Sequence, residues 1–187
     1  MLNNDIENVM ISKDEIKAVV KDLSRQIERD YKDKFPIILG LLKGCVPFMA
    51  DLLKELDFHL EIAFMNVSSY HGGMESSGEV KIEMDLGSPV KDRHVIIAED
   101  IVDSGRTIQS VVELLKYRGA KSVKVVTLMD KPEGRVIDFV PEYIGKTIPK
   151  AFVVGYGLDY QERYRNLPYV GTLKPKIYMT EEWQYGK

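Results

Sequence analysis

Residues 95–98, Val-Ile-Ile-Ala, form a short apolar run, mostly β-branched, and the chain passes from it straight into two carboxylates, Glu99 and Asp100. A run of that kind is the pattern of a strand covered on both faces of a parallel sheet. In open α/β sheets the ligand crevice lies outside the carboxyl ends of the strands, so an acid pair there suits a hydrated cation or the hydroxyls of a ribose. The segment that follows, Asp103-Ser104-Gly105-Arg106-Thr107, is small and rich in hydroxyls. Gly105 allows a positive φ and close backbone approach, Ser104 and Thr107 supply hydroxyl donors, and a following helix adds free N–H groups and the positive end of its dipole. From Ile108 the apolar residues Val111, Val112 and Leu115 recur at helical spacing, and Gly119 is a C-terminal stop. The loop is therefore predicted to be a helix amino terminus, and a phosphate is the ligand it suits.

The rest of the chain repeats this alternation. Ser12 and Glu15 make a capping box ahead of Ile16, Val19, Val20, Leu23 and Ile27, which predicts a helix running toward Tyr31. Residues 36–42 read as a buried strand, 46–56 as a helix and 60–67 as a second strand, while 68–78 are polar, contain glycine and lack a pattern. A short strand is expected at 81–84, and others at 123–128 and 151–154; the tail from Asn166 onward is rich in proline and aromatic residues. Strands alternating with helices imply an α/β fold with a parallel, doubly wound sheet.

At 187 residues the chain is expected to bury one substantial core as a single domain, 1–187, with its centre at about 36–160. A net charge of −3 speaks against nucleic acid as the main partner, although a local phosphate pocket does not show in that total. One cysteine, Cys45, excludes an intramolecular disulfide and a multi-cysteine metal site. The first residues lack the basic and apolar regions of a signal peptide, and no apolar run approaches transmembrane length, so no membrane association and a cytoplasmic location are expected.

Three further segments fall on the same edge of the sheet. Lys43 and Gly44 follow the first apolar strand, where an ammonium and backbone N–H groups can grip an anion, although on these residues alone a surface lysine beside a turn glycine is the favoured reading. Lys131 follows the strand at 123–128 and can donate to a purine 6-oxo group. In the last segment Phe152 can stack on a flat base, the backbone around Val153 can pair with the base edge, and Asp159 can meet a magnesium ion or an exocyclic amine. A core aromatic at Phe152 and solvated charges at Lys131 and Asp159 remain open on these residues alone.

The fourteen residues 95–108 resemble the 5-phosphoribosyl-1-pyrophosphate (PRPP) motif of type I phosphoribosyltransferases, and residues 152–160, with Arg165 six positions after Asp159, resemble the hypoxanthine-guanine members in particular. The resemblance covers about residues 5–183. It implies a central, mostly parallel twisted sheet flanked by helices, with a small hood built from the chain termini. It further implies Mg2+-dependent transfer of the phosphoribosyl group of PRPP to hypoxanthine or guanine, with xanthine left open, in a homodimer or homotetramer.

Carried over residue by residue, Glu99 and Asp100 hold the ribose, and Asp103 to Thr107 (Asp103, Ser104, Gly105, Arg106, Thr107) hold the 5′-phosphate. Asp103 faces purine N7 as general base; Lys43, Gly44 and Arg165 surround pyrophosphate. Lys131, Phe152, Val153 and Asp159 form the base pocket, and Glu99, Asp100 and Asp159 lie near the metal, partly through PRPP or water. The resemblance also implies a cis peptide between Leu42 and Lys43, and a mobile lid at about 68–80 carrying Ser69 and Tyr70. Where some relatives have a second glycine this chain has Cys45, a candidate for oxidation. Two rival readings stay open here: a phosphoribosyltransferase for another base, against which Lys131 argues in the case of adenine, and a regulatory nucleotide sensor.

Overall fold

The structure is a computed structural model and describes residues 1–69 and 80–179. Six strands make the central sheet in the order β4-β3-β2-β5-β6-β7: β2 is Ile37–Leu42, β3 Glu61–Ser69, β4 Val80–Met84, β5 His94–Val102, β6 Ser122–Asp130 and β7 Tyr143–Thr147. All neighbours are parallel except β3 and β4, which pair antiparallel at one edge. The expected α/β sheet is borne out.

Helix α1 (Lys13–Tyr31) starts at the predicted capping box: the Ser12 side chain accepts from the Glu15 N–H at 3.3 Å, and Glu15 accepts from the Ser12 N–H at 2.8 Å. Its apolar stripe, Ile16, Val20, Leu23 and Ile27, packs with α2 (Val46–Glu55) on one face of the sheet. Helix α3 (Arg106–Tyr117) lays Ile108, Val111, Val112 and Leu115 on the other face, in a second apolar cluster with Ile37, Leu39, Val95 and Ile97. Helices on both faces explain why residues 95–98 are apolar without alternation: each is fully buried.

Between β2 and β5 the strand order reverses direction, since the chain leaves β2 toward β3 and leaves β5 toward β6 and β7. A crevice opens at such a switch point. Pairing of β2 with β5 ends at Gly40 and Ala98, whereas β5 stays paired with β6 through Glu99–Thr127 and on to Val102–Asp130.

Two expectations need correction. Glu99 and Asp100 lie inside β5 rather than beyond its end, because β6 goes on pairing past the apolar run. Residues 151–154 do not form a strand; Val154 makes only an isolated bridge to Gly171, and the last sheet position belongs to β7, whose Tyr-Ile-Gly-Lys-Thr sequence is half polar because it is an edge. The tail holds a strand, β8 (Val170–Leu173), that pairs antiparallel with β1 (Ile6–Ile11), so the two terminal segments form a separate two-stranded sheet; a short turn of helix, α4 (Pro175–Tyr178), follows it. No helix among the described residues is long and apolar enough to cross a membrane.

Candidate active site

The crevice is walled by four loops at the carboxyl edge of the sheet. The loop after β5 turns at Gly105, whose φ of +83° falls at the N-cap of α3, and no side chain caps that helix. Its amino terminus is thus open to an anion. Ile101, Val102, Asp103, Ser104, Gly105, Thr107 and Ile108 line a concavity of about 160 Å³. The positive φ favours glycine at Gly105, and a Cβ there would also press on the Arg135 and Ile137 side chains.

The loop after β2 brings Gly44 against Asp100, and the Leu42–Lys43 peptide is cis. A Cβ on Gly44 would collide with the Asp100 carboxylate. Burial raises both acids: Glu99 goes well above the usual carboxylate range, with the Asp100 charge adding, and Asp100 goes to about 6 against the opposing pull of the Ile101 N–H (2.8 Å) and Arg165. Cys45 is fully buried, and burial, with Glu99 and Asp100 adding, pushes its thiol up to about 12. A thiol so far from ionisation is a packing group, which removes the reason to expect oxidation there.

The loop after β6 carries Lys131, buried and 2.5 Å from the Asp103 carboxylate, with a longer contact of 3.3 Å to the Ala151 carbonyl. Arg135, which the sequence reading missed, holds this loop: it pairs with buried Asp130 and donates to the Asp103 carbonyl at 3.0 Å. Gly134 lies so close to Asp103 that any side chain would strike its carboxylate.

The fourth loop spans 151–165. Val153 is buried, whereas Phe152 is 56% exposed and meets Tyr160 edge-on at 5.8 Å, leaving a ring face for a ligand rather than a core contact. Gly157, at φ +102°, packs directly on the Gly44 carbonyl, so this loop and the Lys43 loop touch. Tyr156 ties the same loop to α2 through a 2.7 Å hydrogen bond to Asp51.

Arg165 donates to the Gly157 carbonyl at 2.7 Å and pairs with Asp159 at 2.8 Å and with Glu162 at 3.0 Å. Its Nε is buried without a partner among the described residues. Glu162, also missed, reaches Lys43 at 2.9 Å; no local sequence signal joins residues that far apart. Tyr70 lies outside the described residues, and of Ser69 only the backbone is described, as the last residue of β3.

Among the described residues no three His, Cys, Asp or Glu side chains gather into an all-protein metal cage. Mg2+ commonly keeps waters and takes one or two carboxylates together with substrate oxygens. Glu99, Asp100 and Asp159 are carboxylates of the right kind for such sharing, the first two held where burial disfavours their charge.

The phosphoribosyl transferase domain matches residues 11–161. Over 178 residues the chain is 55% identical to the hypoxanthine-guanine phosphoribosyltransferase of Bacillus subtilis, covering 95% of this chain and 99% of that protein. A crystal structure of a hypoxanthine phosphoribosyltransferase from Staphylococcus aureus superimposes with a TM-score of 0.92 at 51% identity, covering 95% and 96% of the two chains. The bifunctional protein TilS/HprT of Listeria monocytogenes is 55% identical over 177 residues, but this chain spans only 27% of that protein's length. With its sheet, its switch-point crevice and these likenesses in agreement, the chain belongs to the phosphoribosyltransferase family, among its hypoxanthine-guanine members.

Proposed function

We propose that this chain transfers the 5-phosphoribosyl group of PRPP to hypoxanthine or guanine, giving IMP or GMP and pyrophosphate, and so salvages purines. The observation that carries this reading is the contiguity of four loops on one crevice. Gly44 abuts Asp100, Asp103 meets Lys131, Lys131 reaches the carbonyl beside Phe152, and Gly157 closes back on Gly44. A ligand with a phosphate, a ribose, a base and a diphosphate spans such a ring of contacts.

In this reading the α3 amino terminus, with Ser104, Gly105, Arg106 and Thr107, holds the 5′-phosphate through N–H and hydroxyl donors. Glu99 and Asp100 accept from the ribose hydroxyls and fix the anomeric carbon between base and leaving group. Lys43, the Gly44 backbone and Arg165 receive the charge that builds on departing pyrophosphate. Glu99, Asp100 and Asp159 would help to hold Mg2+, partly through PRPP or water, and the ion would supply further charge neutralisation at the diphosphate.

The base lies on Phe152 with its edge toward the Val153 backbone, and Lys131 donates to the 6-oxo group. Asp103 takes the N7 proton as the opposite imidazole nitrogen attacks. The same 2.5 Å contact that joins Asp103 and Lys131 puts base and donor side by side, as adjacent N7 and O6 require. The lid assignment of Ser69 and Tyr70, a cytoplasmic location and a homodimer or homotetramer belong to the same proposal; exposed Ile62, Phe64 and Met84 on the β3–β4 edge support self-association.

The test is product formation from PRPP and Mg2+ with hypoxanthine, guanine, xanthine and adenine in parallel. Turnover of hypoxanthine and guanine but not adenine is expected. Protein that binds PRPP and turns over no purine would overturn the reading in favour of a nucleotide sensor.

A further inference from the structure

Glu162 was absent from the set of residues that the sequence pointed to, yet it stands between two cations of that set. One carboxylate oxygen lies 2.9 Å from Lys43 Nζ, and the other accepts from Arg165 Nη2 at 3.0 Å. A single side chain thereby joins loops 119 residues apart. The backbone aims it there. Gln161, Glu162 and Tyr164 have φ of +52°, +63° and +74°, a conformation uncommon for residues with side chains.

That turn is tied down from several sides. Tyr160 and Arg163 exchange both backbone hydrogen bonds at 3.1 Å, the Glu162 N–H donates to Asp159 at 2.8 Å, and the Tyr164 hydroxyl reaches Asp5 at 3.1 Å. The pair so produced is open to water, with Lys43 and Glu162 each 62% exposed. Exposed pairs are individually weak and yield to a better anion. An uncommon backbone held by three sets of contacts for a weak pair points to a use other than stability.

We infer that Glu162 is a tethered stand-in for pyrophosphate: its carboxylate occupies Lys43 and Arg165 in the ligand-free protein and is displaced when a diphosphate group arrives. This rests on the pyrophosphate assignment of Lys43 and Arg165 made above. Asp159 and Glu162 together neutralise the two cations before any ligand binds. Diphosphate carries more charge and more acceptor oxygens than one carboxylate, so it takes both cations; when it leaves, Glu162 recaptures them and opposes rebinding of the product.

Titration calorimetry of inorganic pyrophosphate with Mg2+ into the wild type, Glu162→Gln and Glu162→Ala tests this, with IMP as a second probe that uses the phosphate loop and base pocket but not the two cations. Both variants are expected to bind pyrophosphate about three- to tenfold more tightly, the size of one or two exposed charge pairs, with the gain shrinking as salt is added. IMP affinity is expected to stay unchanged. Pyrophosphate binding equal to or weaker than wild type in the variants would overturn the stand-in role while leaving the enzymatic reading intact. A wild type that binds neither pyrophosphate nor PRPP would instead overturn the site assignment on which the inference rests.

Discussion

Glu99 and Asp100 stand near the end of a central strand where burial raises both carboxyls, whereas Asp103, Asp159 and Glu162 sit on the surrounding loops and each meets a cation: Lys131 at 2.5 Å, Arg165 at 2.8 Å and Lys43 at 2.9 Å. The two groups therefore meet a ligand differently. The strand pair is unfavourable as two charges in the ligand-free protein and gains when hydroxyl donors or a cation arrive. The loop carboxylates are already neutralised, so binding there exchanges one partner for another. A rigid strand end carries the groups that must wait for a ligand; loops carry those that must move or swap.

The sharpest way to break this comparison is at Asp103, the loop carboxylate assigned to chemistry. Asp103→Asn is expected to lower kcat by about 10²- to 10⁴-fold, the range of a lost general base, with the KM for PRPP changed only severalfold. Steady-state kinetics at saturating hypoxanthine measure both, and equal losses in the two would move Asp103 from proton transfer to PRPP binding.

Asp100→Asn probes the strand pair through stability. Asp100 has a folded pKa of about 6 against an ordinary 3.8, so the native state holds its proton more readily than the unfolded chain does. The contribution of this group to stability is fully present below about pH 4 and is lost as pH rises through 6. His94, whose burial lowers its pKa, works in the opposite direction over an overlapping range but is common to both proteins, so the difference between variant and wild type reports Asp100 together with its coupling to Glu99. In the ligand-free protein the variant should melt several degrees higher at pH 7.5, on the order of 3 kcal/mol, with the gain fading toward pH 5. PRPP binding should weaken in the same variant. A melting difference that does not vary with pH would show that Asp100 is not held against its charge.

Lys131→Met is the smallest of the three. It removes the proposed donor to the 6-oxo group and the partner of Asp103, and kcat/KM for hypoxanthine should fall about tenfold or more while the preference for hypoxanthine over adenine narrows. An unchanged preference with lower kcat would mean that Lys131 acts only through Asp103.

How far the sequence reads ahead differs along the chain for physical reasons. The α1 capping box, the buried strands β2 and β5 and the loop at Gly105 are encoded within a few neighbouring residues, so each was legible. Strand β7 was not, because an edge needs little apolar sequence, and the pairing of β1 with β8 joins segments at opposite ends of the chain. Residues 151–154 looked like a strand because they are apolar, but the apolar character of Val153 and Val154 serves burial in an irregular loop.

The sequence by itself determined the alternating α/β pattern, the acid pair directly after a buried apolar run and the small, hydroxyl-rich loop at a helix start, because hydrophobic period, β-branching and glycine act over a few residues. Tertiary structure alone decided that Lys131 meets Asp103, that Gly157 closes on Gly44 and that Glu162 bridges Lys43 and Arg165. Those contacts depend on distances between loops brought together by the sheet order, and neither charge nor spacing along the chain records them.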